Sequence, residues 1–430
     1  MEPYIFLYIA ALVLVGLLST RVMKLIKMPN VTGYIIAGII MGPFIFGLFF
    51  NGFDFLNAGT NANPIFRYVN TLSWVNSAAL GFIAFSIGSS FKTSTLKSVG
   101  SRIIVITALE SLFASLAVVA VLATAYLIFP DKIPLPLVLS LGAIAAATAP
   151  AATIMVIKQY RANGPVSKTL LPVVALDDAA ALILFAILFQ IAKTIAVGSS
   201  FDPYAMFVKP LLEIIISLVI GVVLGLIMSF ACKFFRSRAN RTGWVLFTVF
   251  AALGFYYLFK QDFMGEFELS SLLTCMAAGA IYVNLRPDSI KTFEFLDRFT
   301  TPIYMLFFIL SGANLNLAIF TGDNGVIVLT VAAFYLVFRF GGKWSGAALG
   351  STITKAEPNV KKYLGFCLVP QAGVAIGLAT TAGNILATSN PEIGSMIVAV
   401  ILTSTLVYEL IGPIVTKTAL QKAGEIEIAR

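Results

Sequence analysis

Apolar positions in this chain neither alternate nor gather into stripes. They run in long blocks, cut by short polar, Gly/Pro or charged stretches, from one end to the other. A helix needs roughly 20 mainly apolar residues to cross the hydrocarbon of a bilayer. Dividing the sequence at its punctuation predicts thirteen such helices, over 3–23, 30–50, 70–91, 103–129, 135–158, 166–193, 207–233, 242–260, 267–285, 300–320, 324–348, 361–386 and 393–418. The expected fold is therefore an all-α polytopic membrane protein, since helices satisfy every backbone group internally in lipid. No linker or low-complexity stretch interrupts the pattern, so residues 1–430 read as one membrane transport domain without a soluble regulatory domain. The longest polar segment, 51–66, is rich in Asn, Gly and Pro and reads as an outer loop.

Composition agrees with this, at 59% hydrophobic and only 11% charged residues. The net charge of +9 does not point to nucleic acid, because the 29 Lys and Arg are dispersed among short loops. Loops on the odd-numbered side, with Arg339 and Lys343 counted there, hold 24 of them and the other side holds five. By the positive-inside rule the N-terminus lies outside and the C-terminus is cytoplasmic. The first apolar run carries its positive charges behind it, so it reads as a retained helix and not as a cleaved signal. Cys232, Cys275 and Cys367 are isolated packing residues and supply no metal or redox site. The chain has no His. Any proton handled near neutral pH must then ride on carboxylates.

Of the twenty acidic residues, five fall inside a predicted span: Glu110, Asp177, Asp178, Glu213 and Glu409. Each is a functional candidate by default, because an ionisable group in lipid is costly. Glu213 sits in the first turns of its helix and reads as interfacial. Glu409 is expected to pair with Arg339 or Lys343, and Glu110 to make a buried ion pair or hydrogen bond. Asp177 and Asp178 lie near the middle of the sixth helix, with no Lys or Arg evident at the same depth. Neighbours on a helix point about 100° apart, so the two carboxylates serve different faces.

Two helices are interrupted. Thr148, Ala149 and Pro150 stand in mid-helix 5, and Pro370, Gln371, Gly373 and Gly377 in helix 12. A proline frees backbone groups that a membrane tolerates only where protein or a water-filled cavity satisfies them. The two broken helices are seven spans apart and cross the bilayer in opposite directions. This is the pattern of inverted repeats, with a substrate site where the broken helices cross. Grouping the spans as 2–7 and 8–13 leaves the breaks one position out of step.

The stretches MPNVTGYIIAGIIMGP (28–43), Thr148–Pro150, LDDAA (176–180), FFILSGANLNL (307–317), VPQAGVAIGLA (369–379) and YELIGP (408–413) together resemble the monovalent cation/proton antiporter superfamily. The similarity is closer to its second branch, the bacterial sodium/proton and potassium/proton exchangers. The resemblance covers essentially the whole chain. It implies a multi-pass protein of a bacterial-type inner or plasma membrane, a homodimer with a dimerisation part and a mobile core, and elevator-like alternating access. It also implies that Asp178 binds cation and proton, with Asp177 as its polar neighbour. Ala149 departs from the Thr-Asp-Pro of many relatives. Asn314 falls where a register through Gly312 expects a basic partner for the first aspartate, leaving Asp177 either protonated or sharing the ion.

The function expected is secondary-active exchange of sodium, or alternatively potassium, for protons. Asp178 would be the main ligand, with Thr148, Asp177 and exposed backbone supplying further oxygens, a donor set suited to a hard monovalent ion. Asp178 would hold cation or proton in competition. No cofactor is expected beyond the transported ions. A channel is disfavoured because a site that binds either ion at a carboxylate suits rapid multi-ion passage poorly. An intramembrane aspartyl protease needs carboxylates converging from separate helices, and no GxGD stretch is present, so no enzyme is expected.

Overall fold

A computed structural model describes residues 4–47, 63–130, 132–197, 203–204, 208–259, 269–314, 325–387 and 390–426. Residues 51–62 of the expected loop lie outside the described residues, as do the last residues of the second and tenth expected spans, whereas its end departs from expectation: Asn63 caps a helix that begins at Pro64. Sixteen α-helices and no strand occur among the described residues. They are α1 Ile5–Leu25, α2 Asn30–Met41, α3 Pro64–Thr71, α4 Ser73–Gly88, α5 Thr93–Ile128, α6 Leu135–Ile144, α7 Pro150–Tyr160 and α8 Pro165–Val197. The second half continues with α9 Lys209–Phe234, α10 Arg238–Leu258, α11 Ser271–Leu285, α12 Ser289–Ala313, α13 Gly325–Ile353, α14 Pro358–Cys367, α15 Gly373–Ala387 and α16 Pro391–Lys422. Among the described residues, seven of these helices (α1, α5, α8, α9, α10, α13 and α16) are individually long and apolar enough to cross a membrane, and α3 with α4, over Pro64–Gly88, makes an eighth span. The second, fifth, ninth and twelfth expected spans are built from shorter pieces, among them Asn30–Met41, Leu135–Ile144 and Ser271–Leu285, and the described part of the tenth belongs to Ser289–Ala313.

Proline sets several of the boundaries. Pro150, Pro358 and Pro391 occupy first-turn positions, where the missing N–H costs nothing. Both expected breaks are present: the fifth span divides into α6 and α7, and the twelfth into α14 and α15.

Helices in lipid gain little from burying apolar surface against each other, so close approach depends on small residues. Two seams show this with the same geometry. Where α2 meets α12, a Cβ on Gly38 would lie 1.9 Å from the Ile309 carbonyl oxygen, and one on Gly312 would lie 2.2 Å from that of Ile35. Where α11 meets α4, Gly279 stands against the Phe85 carbonyl at 2.2 Å and Gly88 against that of Met276 at 2.4 Å. In each seam the carbonyl met is three residues before the partner glycine. Gly38 in α2 and Gly279 in α11 also stand at the same distance from their helix starts, Asn30 and Ser271.

The internal repeat therefore relates α2 to α11 and α4 to α12, an offset of seven spans. This corrects the grouping 2–7 with 8–13: the repeated units begin at the first and eighth spans, with α9 between them. The two breaks then fall at the same place in each unit.

The seams also divide the molecule into two bodies. The frame comprises α1–α4 and α9–α12. The crossing body comprises α5–α8 and α13–α16, and its centre is α5 against α13, where Gly342, Gly346 and Gly350 meet the backbone of Phe113–Ala114, Leu109–Glu110 and Ile106. Among the described glycines, each whose Cβ would touch another residue touches its own body. Between the bodies the crossing body presents Ala151, Ala152, Ile154 and Ala175 to the frame's hydrophobic cluster.

Gly341 and Gly346 on α13 provide a test. A Cβ at Gly341 meets nothing within 4 Å, whereas one at Gly346 would stand 2.5 Å from the Leu109 oxygen. Gly341→Ala is expected to be neutral or to gain up to about 1 kcal/mol from helix propensity. Gly346→Ala is expected to lose about 1–3 kcal/mol to overpacking. Thermal midpoints of the two variants in detergent check this.

Candidate functional site

The site begins with the two breaks. After Ile144 the chain leaves helical geometry and re-enters it at Pro150, and after Cys367 it does the same until Gly373. The two interruptions face each other. The Ala149 amide donates to the Pro370 carbonyl at 2.9 Å, the Gln371 side-chain amide donates to the Ile144 carbonyl at 3.2 Å, and the Thr153 hydroxyl donates to the Cys367 carbonyl at 3.3 Å. Gln371 Nε2 also donates to the Tyr335 hydroxyl at 2.8 Å.

Arg339 completes the crossing. From α13, its Nε donates to the Ala145 carbonyl at 3.0 Å, Nη1 to that of Val369 at 2.9 Å, and Nη2 to that of Ala147 at 2.7 Å. The guanidinium thus ties both breaks together through carbonyls the broken helices leave unpaired, and it places a positive charge where two helix C-terminal ends converge. Its group lies 4.6 Å from the Tyr408 ring centroid, within cation–π range. The Tyr408 hydroxyl is held by the Leu336 carbonyl at 2.6 Å. Only a fork of several fixed donors reaches three carbonyls at once, and lysine lacks that geometry.

One turn further along α13, Lys343 lies among carboxylates. Its ammonium is 2.9 Å from Asp177 Oδ2 on α8 and 2.6 Å from Glu110 Oε2 on α5. Ser111 Oγ donates to Asp177 Oδ1 at 2.6 Å and stands 3.2 Å from Glu110 Oε1. Lys343, Glu110 and Asp177 are all fully buried. The expectation that Asp177 lacks a basic partner is therefore wrong. Lys343 also takes the role assigned by register to Asn314, whose side-chain amide instead donates to the Leu310 carbonyl of its own helix at 2.9 Å.

Glu409 departs from expectation as well. Neither Arg339 nor Lys343 reaches it, since both are engaged elsewhere. It is 1% exposed, and the contact found is the Ser311 hydroxyl at 3.2 Å. Glu213 stands 3.9 Å from Lys209, one turn away.

Asp178 differs from its neighbour. It is 6% exposed, and among the described residues it has no hydrogen bond or ion pair; its Oδ1 is buried without a partner. The Thr148 hydroxyl, in the first break and beside Asp177, also makes no hydrogen bond of normal geometry. An unpartnered buried oxygen is costly, which leaves the Asp178 carboxylate available to a group that donates or is positive, with the Thr148 hydroxyl close by. No group of three or more His, Cys, Asp or Glu among the described residues suits a multidentate transition-metal centre. The available donors, carboxylate and hydroxyl oxygens, suit a hard ion.

The sequence brought Asp177, Asp178, Thr148, Pro150, Pro370 and Gln371 to notice, and the structure gathers them around the crossing. Arg339, Lys343, Glu110 and Ser111 were underrated. Their signal lay in spacing: Arg339 and Lys343 are four apart on one face of an otherwise apolar helix, next to glycines that bring α5 into contact.

Lys343→Met would strand two buried carboxylates and is expected to destabilise the protein by about 3–5 kcal/mol. Adding Glu110→Gln removes one stranded charge and should recover part of that loss. Thermal unfolding of the single and double variants checks this; simple additivity of two losses would contradict it.

No curated protein sequence matches the chain. Among solved structures it is similar to the sodium proton antiporter MjNhaP1 from Methanocaldococcus jannaschii. An electron-microscopy structure of that protein aligns with TM-score 0.77 and 19% identity over 99% of this chain and 100% of the other. The structure at pH 8 aligns with TM-score 0.69 and 17% identity over 97% and 98%. At such identities the likeness establishes the fold. The sequence itself matches the family model described as sodium/hydrogen exchanger, transmembrane, over residues 9–418. A match over nearly the whole chain settles the question of kinship: this multi-pass membrane protein belongs to the sodium/hydrogen exchanger family.

Proposed function

We propose that the protein exchanges a monovalent cation, sodium before potassium, for protons, and that Asp178 is the side chain both ions compete for. The observation that carries this reading is the unpartnered Asp178 carboxylate beside an Asp177 already held by Lys343 and Ser111. Family membership supports cation/proton exchange, and the name sodium proton antiporter, borne by the structurally similar protein, favours sodium.

Two adjacent aspartates divide the work. Asp177 is spoken for by a buried cation, so its charge is balanced within the protein. Asp178 has no such partner, and its charge is balanced by what arrives from water: an alkali ion, or a proton. Thr148 and backbone carbonyls at the breaks supply neutral oxygens that replace part of the hydration shell. One carboxylate cannot hold both ions in full at once, so loading one side with protons releases the cation. Coupling needs no further machinery than this competition, together with access that alternates between the two faces.

For the alternation we propose an elevator-type motion, in which the crossing body slides against the frame. Support comes from the packing: glycine seams lock each body internally, while apolar side chains, Ala151, Ala152, Ile154 and Ala175 among them, line the boundary between them. The frame is the body we assign to homodimer contact, with the N-terminus outside and the C-terminus cytoplasmic.

In proteoliposomes with an imposed proton gradient, Asp178→Asn is expected to abolish sodium-driven pH change while leaving the fold intact. Exchange at the wild-type rate would remove Asp178 from the mechanism. Electrometry on supported membranes with sodium, lithium and potassium identifies the cation, and currents with potassium alone would replace sodium by potassium.

A further inference from the structure

The last turn of α7 makes two contacts across the boundary between the bodies, at Lys158 and Gln159, and a third, at Tyr160, that reaches the frame through Lys417 of its own body. Lys158 Nζ lies 2.5 Å from Asp297 Oδ1 on α12 and 3.2 Å from the Ser86 hydroxyl on α4. The same ammonium stands 5.7 Å from the centroid of the Tyr304 ring on α12. Gln159 Oε1 accepts from the backbone N–H of Asn30 at 2.9 Å, at the start of α2. Tyr160 lies under the Lys417 ammonium at 5.1 Å, and Lys417 in turn donates to the Lys27 carbonyl of the frame. Four frame elements, α2, α4, α12 and the turn after α1, are thereby joined to the end of one short helix.

These contacts differ in kind from those within each body. The glycine seams are backbone against backbone and have no second position available without large rearrangement. The contacts at residues 158–160 are made by long side chains, and the ion pair is partly open to solvent, with side-chain exposures of 30% and 41%. Such an exposed pair holds its partners only weakly. It suits a contact that must be remade often better than one that holds a fold. Its position also matters, because α7 begins at Pro150, directly after Thr148 and the break. A force on the end of α7 acts on the crossing itself.

We propose that Lys158, with Gln159 and Tyr160, forms a latch that holds the crossing body against the frame at one end of its travel, and that the Lys158–Asp297 contact breaks in every transport cycle. This rests on the reading of transport as sliding of one body against the other. Lys158 and Asp297 are positioning residues in it: they set the occupancy of one state and do not touch the ion.

The test uses the full chain in proteoliposomes, with paired cysteines and a short bis-methanethiosulfonate cross-linker that reductant cleaves. Cross-linked Lys158→Cys with Asp297→Cys is expected to stop exchange, with recovery on reduction. Arg241→Cys with Asp288→Cys, an ion-paired couple within the frame that joins α10 to the start of α12, should leave exchange intact when cross-linked. Asn30→Cys with Gln159→Cys spans the boundary at a second point and separates the two ideas. If that pair arrests exchange and the 158–297 pair does not, the latch is overturned and sliding stands. If both boundary pairs exchange freely when linked, sliding itself is overturned. Asp297→Asn, which removes the charge and keeps the shape, is expected to raise the maximal exchange rate by about 1.4- to fivefold, the fold-change that corresponds to an exposed pair. Charge-swapped Lys158→Asp with Asp297→Lys should return it to the wild-type rate. An unchanged or lowered rate in Asp297→Asn overturns the proposal even if every cysteine variant folds poorly.

Discussion

A helix broken inside a bilayer leaves carbonyls and amides that neither lipid nor the helix itself can satisfy, and the rest of this protein is arranged around that problem. Arg339 answers most of it by donating to Ala145, Ala147 and Val369 at once, which fixes the two breaks relative to each other. The backbone bond from Ala149 to Pro370 and the amide of Gln371 complete the join. With the carbonyls held, the polar groups left over at the crossing are few, and Asp178 and Thr148 are among them. An arginine committed to backbone cannot also neutralise a carboxylate, so a second cation, Lys343, is needed for Asp177 and Glu110. The two basic residues one turn apart on α13 thus hold separate roles: one maintains the shape of the site and the other its charge.

The same economy governs the packing. In lipid, where apolar contact between helices brings little gain, rigidity comes from backbones brought close by glycine. The α2–α12 and α4–α11 seams use one arrangement twice, and α5–α13 supplies a third seam at the centre of the crossing body. Wherever such a seam runs, the helices are committed to one relation. The boundary between the bodies has none among the described glycines, and its polar contacts are made by side-chain ends. A division of labour follows, with rigid bodies carrying the site and a soft boundary between them.

Most of the fold was legible because membrane helices announce themselves by apolar length and breaks by proline. Asp177 and Asp178 were legible for the complementary reason, as acids where acids are costly. What could not be read was partnership across helices. Lys343 lies 166 positions from Asp177, and no periodicity within either helix reports which neighbour the other packs against. The misassigned pairing of Glu409 and the register that placed Asn314 opposite Asp177 failed for that reason. The repeat offset failed differently: hydropathy counts spans but does not weigh them, and only the matched glycines Gly38 with Gly279 and Gly88 with Gly312 show which helices correspond. Glycine spacing was present in the sequence all along, yet its meaning depends on knowing the contact.

The central claim is that alkali ion and proton exclude one another at Asp178. Measuring the half-saturating concentration of the transported cation as a function of pH, in proteoliposomes at fixed membrane potential, tests it most directly. Competition at one carboxylate predicts that this concentration rises by about tenfold for each unit of acidification once the site is mainly protonated, with the maximal rate at saturating cation preserved. A half-saturating concentration that stays constant across the active pH range, with only the maximal rate changing, would contradict the account.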